Sequence, residues 1–215
     1  MKIKFAKCNK NAKIPTRSKG NAGFDIYVVP DEDENKCYVI RPNETKLLPT
    51  GLKSIIEEGY YVQIQERGST GSKGIKYGAG VIDSSYRGEW FLAVTNTNNK
   101  NLYIADLDKL EEAFNNPDIL DDRLEEFLGE DAEKYKKLLN IFASMISDDE
   151  EQTKKLLEPD FERFKKENVV YDINKAIFQG IIHKVEDAEF EEVSLKEVEN
   201  DTTDRGEGKL GSSGK

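Results

Sequence analysis

The sequence predicts a mainly β domain that is interrupted by a helical insertion. Residues 1 to 100 consist of short runs rich in β-branched and aromatic residues, separated by Pro, Gly, Asn and Asp, and this style returns after residue 168. The intervening residues 105 to 168 hold 20 acidic and 10 basic residues and one of the 16 glycines, whereas the rest of the chain holds 22 acidic and 22 basic residues. Two compositions predict two structural units.

Turn residues divide the first part into predicted strands. These strands lie in FDIYVV, CYVI, TKLLPTGLKSII, YYVQIQ, AGVI and WFLAVTN. Three further strands, in NVVYDI, AIFQGIIHKV and FEEVSL, follow the insertion. Because both parts share one style, we expect their strands to form one sandwich or barrel.

The segment from 105 to 168 carries apolar residues at helical spacing. Asp118 and Asp131 are candidate helix starts, and Gly129 is a candidate stop. We expect three or four helices that bury one apolar face each, with an acidic face that is solvated or binds a protein partner. The spaced residues form three groups: Leu107, Leu110 and Phe114; Leu124, Phe127 and Leu128; Tyr135, Leu138, Leu139, Phe142, Met145 and Ile146.

The N-terminus MKIKFAKCNKNAKI alternates apolar and basic residues, without the apolar run of a signal peptide or membrane span. We therefore expect a cytoplasmic protein in which Cys8 and Cys37 are reduced and packed. The sequence has no CxxC pair, and His183 is its single histidine, so these residue types do not predict a metal site.

The C-terminal stretch DRGEGKLGSSGK is compatible with a flexible tail, a linker or a phosphate-binding loop. Its glycines and serines supply backbone N–H and hydroxyl donors that suit a triphosphate. Gly206 and Gly211 have the spacing of a Walker A loop, but Ser212 stands where that loop needs Lys. The tail taken alone leaves these alternatives open.

Four other polar, glycine-rich islands lie between the predicted strands, and each alone is typical of an ordinary turn. Together with RGEGKLGSSG they resemble, in order, the five motifs of the trimeric dUTPase family, over nearly the whole chain outside the insertion. The islands are NAGFDIYV (21–28), ERGSTGSKGI (66–75), GAGVIDSSYRGEW (78–90) and KAIFQG (175–180).

The resemblance implies a distorted jelly-roll or β-barrel with an inserted α-helical subdomain. The β domain would comprise 1–104 and 169–215, with a C-terminal arm at 201–215 and the acidic helical insertion at 105–168. It also implies hydrolysis of dUTP to dUMP and pyrophosphate with Mg²⁺, in a homotrimer whose active sites are shared between subunits. Neither nucleic acid nor membrane is an expected partner.

The third island gives the closest match, because GVIDSSYRGE has the family's order of Gly, apolar pair, Asp, Tyr, basic residue, Gly and acidic residue. In the family this motif is a β-hairpin that accepts deoxyuridine. The resemblance implies that Asp83 deprotonates the attacking water, that Tyr86 packs under the deoxyribose, and that the backbone near Gly80 bonds the uracil edge. A carboxylate can act as base, and an aromatic ring is a stiff steric gauge.

The second island supplies positive charge and backbone amides for an anion. By the resemblance, Arg67 and Ser69 contact the phosphates, and Thr70 is grouped with them as a substrate-binding residue. The family usually has Ser directly after the Arg, and this chain has Gly68 there. We therefore assign the hydroxyl contact to Ser69.

The first and fourth islands contribute one side chain each. Asp25 matches the family's Asp that contacts the metal through water, which suits Mg²⁺ because this ion keeps several waters. Gln179 matches a phosphate-contacting Gln, although the usual Gly-Asp-Arg opening is replaced by Asn174-Lys175-Ala176. We assign no role to His183.

The resemblance implies that the C-terminal arm of one subunit closes over the active site of another. Arg205 would clamp the γ-phosphate, and Ser212 and Ser213 would wrap the phosphates. Leu210 stands where the family commonly has Phe over the uracil. An arm of this kind must open for product to leave, which explains its glycine content.

Two alternatives remain open from the sequence, the second of them of another class. A dCTP deaminase shares this fold and the nucleotide, but it needs a carboxylate placed at the base and lacks the Asp-x-x-Tyr hairpin. The second alternative is a binding protein whose helical insertion captures another protein, either in place of catalysis or as a regulatory module of a dUTPase.

Overall fold

The computed structural model describes residues 1–30, 37–115 and 161–203. Within these ranges the chain forms twelve strands and four helices. They belong to two units, Met1–Val185 and a C-terminal unit that begins at Glu186. The predicted mainly β fold is thereby confirmed.

The strands all lie in the first unit, and turn residues end most of them where the sequence predicts. In chain order they are β1 Ile3–Lys7, β2 Gly23–Ile26, β3 Tyr38–Ile40, β4 Thr45–Pro49, β5 Leu52–Ile56, β6 Tyr60–Glu66, β7 Ile75–Tyr77, β8 Val81–Asp83, β9 Phe91–Asn96, β10 Leu102–Ala105, β11 Val169–Asp172 and β12 Phe178–Lys184. The helices are α1 Gly68–Gly71, α2 Leu107–Asn115, α3 Phe161–Glu167 and α4 Leu195–Asn200.

Four sheets enclose the core, with strand orders β1-β5, β11-β10-β3, β2-β12-β6-β8 and β4-β9-β7. Ile40, from before the insertion, and Phe178, from after it, lie in the same buried cluster. Strands from before and after the insertion therefore contribute to one core. Trp90 is fully buried in this core, and its indole N–H donates to Ser54 Oγ at 3.1 Å, which satisfies its single donor.

Gly51 forms the turn between β4 and β5 with a φ of 66°. A Cβ at this position would lie 2.8 Å from the Cβ atoms of Ala12 and Asn9. Only glycine combines this backbone conformation with so close an approach. The Thr-Gly pair inside TKLLPTGLKSII thus divides one apolar run into two strands.

The described ends of the insertion are helical, as the spacing of Leu107, Leu110 and Phe114 predicts. Helices α2 and α3 bury Leu110, Phe114, Phe161 and Phe164 against β10 and its neighbours, rather than against each other alone. The rings of Phe164 and Tyr103 meet edge to face with centroids 4.8 Å apart. The other predicted helix features, including Asp118, Gly129 and Asp131, lie outside the described residues.

The structure corrects the predicted strands in two ways. It adds β1, β7 and β10, whose sequences IKFAK, IKY and LYIA are short or charged. The predicted strand FEEVSL is wrong, because residues 190–194 are in no strand and α4 begins at Leu195. Ser194 caps this helix by accepting a hydrogen bond from the Glu197 amide at 3.3 Å, as in a Ser-x-x-Glu capping box.

Both cysteines are free thiols. Cys37 is half-buried beside α2 and α3, and burial raises its pKa to about 12. Cys8 is exposed, so the prediction that both thiols are packed is wrong for Cys8. No helix within the described ranges combines the length and the apolar character needed to cross a membrane.

Candidate active site

The sheet β2-β12-β6-β8 carries three of the predicted site residues, Asp25, Gln179 and Asp83. Asp25 on β2 pairs in register with Gln179 on β12, which pairs with Gln65 on β6. Because residues directly opposite in an antiparallel pair point to the same face, these three side chains form a row. Arg67 follows immediately, one residue after β6 ends.

Arg67 joins three of the four described islands. Its Nε lies 3.2 Å from Asp25 Oδ1, and its Nη1 donates to the carbonyl of Ala176 at 2.9 Å. Both side chains of the ion pair remain about one third exposed, at 31% for Arg67 and 36% for Asp25. A guanidinium has five N–H donors, so these two contacts orient the group while leaving donors for an anion.

The turn after Arg67 is a short helix, α1, where the sequence predicts only a glycine-rich turn. Thr70 is fully buried, and its hydroxyl accepts from the Arg67 amide at 3.2 Å and donates to the Arg67 carbonyl at 3.1 Å. Thr70 therefore fixes the turn from beneath. Ser69 and Gly68 are exposed on its surface, in the position suited to an anion.

Gln179 is held against the start of this turn. Its Nε2 donates to the Glu66 carbonyl at 2.8 Å. Its Oε1 faces Gly23, where any Cβ would overlap the amide. The glycine of the AGFD island thus makes room for the glutamine of the fourth island, a pairing that the sequence analysis does not find.

The hairpin after β8 presents Asp83 and Tyr86. Asp83 ends the strand, and the Tyr86 amide donates to its carbonyl at 3.1 Å, which closes a four-residue turn. The Tyr86 hydroxyl donates to the Glu89 carbonyl at 2.9 Å, so the ring is held while 43% of the residue stays exposed. The Gly80 carbonyl accepts from the Ile64 amide at 2.6 Å, which anchors the other end of the hairpin to β6.

The two groups of residues lie apart within one chain. Asp83 pairs with Tyr61 at the start of β6, whereas Gln179 and Asp25 align with Gln65 near its end. At about 3.3 Å per residue and about 4.8 Å per strand, Asp83 and Asp25 are separated by about 13 Å along the strands and about 14 Å across them. The hairpin group (Asp83 and Tyr86) and the arginine group (Asp25, Arg67, Ser69 and Gln179) therefore do not form one site in a single chain.

The remaining predicted residues belong to the arm. Arg205, Leu210, Ser212 and Ser213 lie outside the described residues. Among those that are described, no group of three or more His, Cys, Asp or Glu side chains is arranged to hold a metal ion.

Comparison with known proteins gives one family. The dUTPase family model matches residues 10–110. The deoxyuridine 5′-triphosphate nucleotidohydrolase of Nautilia profundicola is 38% identical over 117 residues, which are 53% of this chain and 78% of that protein. The chain belongs to the dUTPase family.

Two further dUTPases show how the likeness is distributed. The cowpox virus enzyme is 39% identical over 87 residues, which cover 40% of this chain but only 55% of that protein. A mutant of the Staphylococcus bacteriophage 80alpha dUTPase, solved with dUpNHpp, aligns over 100% of this chain and 99% of its own, with a TM-score of 0.57 and 19% identity. That alignment shows a shared fold.

The stretch matched by the dUTPase model contains Asp25, Arg67, Asp83 and Tyr86. Gln179 lies beyond it, after the insertion. The structure nevertheless places Gln179 beside Asp25 and Glu66. The register of β12 therefore places the fourth island beside the arginine group, although the sequence of this island diverges from the family pattern.

Tyr171 is a site residue that the sequence analysis does not find. It is buried in β11, and its hydroxyl donates to the Ala176 carbonyl at 2.6 Å. Its only sequence signal is an aromatic residue within the predicted strand NVVYDI, which is equally typical of a core position.

Proposed function

We propose that the protein hydrolyses dUTP to dUMP and pyrophosphate. The observation that carries this proposal is the hairpin from Gly80 to Tyr86, which lies within the matched dUTPase stretch and holds Asp83 and Tyr86 exposed on a hydrogen-bonded turn. The arginine group supports it, because it offers a positive charge and an exposed Ser69 to a phosphate chain.

Asp83 is the proposed general base. A water molecule bound to its carboxylate attacks the α-phosphorus, a new P–O bond forms, and the bond from the α-phosphorus to the bridging oxygen breaks. The proton passes to Asp83, and pyrophosphate leaves with the electron pair. An exposed carboxylate at the end of a paired strand can hold this water without moving.

Tyr86 is the residue proposed to select deoxyribose over ribose. Because its hydroxyl is bonded to Glu89, the ring cannot turn aside to admit a 2′-hydroxyl. The backbone beside Gly80 is the proposed contact for the uracil edge, where a cytosine amine would place a donor against a donor. The two contacts select deoxyribose and uracil independently.

Arg67, Ser69 and Gln179 are the proposed phosphate contacts, with Thr70 supporting the turn from below. Arg67 is oriented by Asp25 and Ala176, so little side-chain freedom remains to be lost when phosphate binds. Asp25 is a single, partly exposed carboxylate, which fits Mg²⁺ held through water rather than by a cage of protein ligands. When bound, Mg²⁺ neutralises charge on the phosphate chain.

The separation of the two groups supports a site assembled between subunits. Asp83 lies about 13 Å along the strands and about 14 Å across them from Asp25, the ion-pair partner of Arg67, so one chain cannot apply Asp83 and Arg67 to the same phosphate chain. A symmetric oligomer can instead place one chain's hairpin beside its neighbour's arginine group. The proposed assembly is a homotrimer. Arg205, Leu210, Ser212 and Ser213 of the C-terminal arm are proposed to complete the site.

Product identification tests this function. The protein is incubated with dUTP, UTP, dCTP or dTTP in the presence of Mg²⁺, and pyrophosphate and ammonia are measured in parallel. We expect pyrophosphate from dUTP alone, at least about 100-fold faster than from the other nucleotides. Ammonia from dCTP would indicate the deaminase alternative, and the absence of either product from every nucleotide would refute an enzyme of this class.

A further inference from the structure

Tyr171 connects the two segments that form the arginine group, and the inference drawn from it rests on the function proposed above. Its hydroxyl donates to the Ala176 carbonyl at 2.6 Å, and the same carbonyl accepts Arg67 Nη1 at 2.9 Å. A single carbonyl oxygen therefore binds both the tyrosine and the arginine. Only 4% of Tyr171 is exposed, so the tyrosine side of this arrangement is buried.

The segment from Arg67 to Lys73 also lies near Tyr171. Burial raises the pKa of Tyr171, while a hydrogen bond from Ser69 and the charge of Arg67 oppose that rise. The Lys73 ammonium lies 5.8 Å from the centre of the tyrosine ring, within the range of a cation–π contact. The Tyr171 ring thus lies near Lys73, and its hydroxyl shares with Arg67 the Ala176 carbonyl that orients the guanidinium.

The segment that carries Ala176 is itself fixed. The Asn174 amide donates to Asp172 Oδ1 at 2.9 Å, and the Lys175 amide donates to the Asp172 carbonyl at 3.0 Å. The Ile177 amide then donates to the Ile26 carbonyl at 3.0 Å, which begins the pairing of β12. The Ala176 carbonyl is therefore a rigid acceptor, although this segment departs from the Gly-Asp-Arg opening usual in the family.

We propose that Tyr171 is a positioning residue that holds Arg67 in the geometry that binds the phosphate chain. Arginine is among the side chains with the most conformational freedom, and ordering it costs up to about 2 kcal/mol. Tyr171 and Ala176 lower this cost before the ligand arrives. Tyr171 is not proposed to touch the substrate, so its effect passes through Arg67.

Tyr171→Phe tests the proposal, because it keeps the ring and removes the hydroxyl. Binding of α,β-imido-dUTP and of deoxyuridine is measured by calorimetry. Loss of one hydrogen bond, about 1 kcal/mol, corresponds to a roughly five-fold rise in the Kd of the triphosphate. The Kd of deoxyuridine, which has no phosphate, should not change. An equal rise for both ligands would mean that Tyr171 is merely structural and would overturn the proposal.

Tyr38→Phe is the matched control. The Tyr38 hydroxyl also donates to a backbone carbonyl, that of Val29 at 2.7 Å, but Tyr38 lies in β3, which belongs to a different sheet from the strands that carry Asp25 and Gln179. It should lower thermal stability by a similar amount and leave both Kd values unchanged. A double-mutant cycle of Tyr171→Phe with Arg67→Gln should be non-additive, since the tyrosine acts through the arginine. Full additivity would contradict the proposal.

A second measurement needs no substitution. The ¹³Cζ resonance of Tyr171 in the wild-type protein reports its hydrogen bonding and should stay unchanged when pyrophosphate saturates the site, because its bond to Ala176 is formed before the ligand arrives; a large shift would overturn the inference. Different results would refute the proposed function and the positioning role of Tyr171. A wild-type protein that binds the triphosphate in a Tyr171-dependent way but does not hydrolyse dUTP would refute the function and leave the positioning role intact. Normal hydrolysis with unchanged affinity in Tyr171→Phe would refute only the positioning role.

Discussion

Two deletions of the insertion should behave differently, because its first and last helices pack on the β domain. Replacing residues 105–168 by a short Gly/Ser linker removes α2 and α3, whereas replacing residues 116–160 keeps them. The helices bury Leu110, Phe114 and Phe164 against Tyr103 and its neighbours. From sequence alone, the longer deletion is expected to leave a soluble, active enzyme; the packing of these helices reverses that expectation.

The cost of the longer deletion follows from the surface that it uncovers. Tyr103 is 5% exposed, and Val39, Val170 and Cys37 pack partly against the same helices. At about 1.5–3 kcal/mol for each fully buried apolar side chain, exposing this face costs roughly 3–6 kcal/mol. That is a large share of the 5–15 kcal/mol that is typical of a folded domain.

Chain connection adds to this cost. Strands β10 and β11 are parallel, with Ala105 opposite Asp172 and Leu102 opposite Val169, so any link between them must run back along the sheet. A parallel connection of this kind usually takes a dozen or more residues. By contrast, the rings of Phe114 and Phe161 lie 5.5 Å apart, so a few residues suffice to join α2 to α3.

The assay compares both variants by gel filtration, thermal denaturation and pyrophosphate release from dUTP. The variant lacking 116–160 should be soluble, melt within a few degrees of the wild type and retain hydrolysis. The variant lacking 105–168 should be insoluble or melt far lower. Equal behaviour of the two, whether both stable or both insoluble, would refute the conclusion that α2 and α3 belong to the packing of the β domain.

Three more predictions concern single features. Asp83→Asn should fold and bind dUTP but turn it over at least about 100-fold more slowly, and near-normal turnover in a folded variant would exclude Asp83 as the base. Truncation before Arg205 should leave a folded enzyme with poor activity. Re-equilibrating the truncated chains with Asp83→Asn chains should recover some activity, because a mixed oligomer can combine an intact Asp83 with an intact arm. No recovery in verified mixed oligomers would argue against an arm shared between subunits. Because burial raises the pKa of Cys37 from 9.0 to about 12, its contribution to stability is complete below pH 9 and declines as the pH rises toward 12, by up to about 1.4 kcal/mol per pH unit. Urea unfolding between pH 8 and 10 should show a shallower decline for Cys37→Ala than for the wild type, and identical slopes would contradict this.

The fold could be predicted from the sequence wherever one local signal decides it. Apolar runs between turn residues identify β6 and β9, and the spacing of Leu110 and Phe114 identifies α2. Spacing reveals that a helix has an apolar face, but not which surface covers it, so the packing of α2 on β10 could not be predicted. The run FEEVSL shows the converse, since a capping serine at 194 outweighed a weak strand pattern.

The candidate site, too, could be predicted only in part from the sequence. Asp25, Arg67 and Asp83 lie in short motifs whose order along the chain is informative. The contacts that orient them are not local: Arg67 bonds Ala176 across 109 positions, and Gln179 bonds Glu66 across 113. Both contacts end on backbone carbonyls, which every residue type possesses. No residue pattern marks such an acceptor, and for the same reason Tyr171 escapes sequence analysis.

The most direct test of the central claim is hydrolysis of dUTP in ¹⁸O-labelled water, with mass spectrometry of both products. Attack by water at the α-phosphorus predicts one ¹⁸O atom in each dUMP and none in pyrophosphate, with the two products formed in equal amounts. The label in pyrophosphate would place the attack at the β-phosphorus and exclude the role given to Asp83. The absence of both products would contradict the proposed function itself.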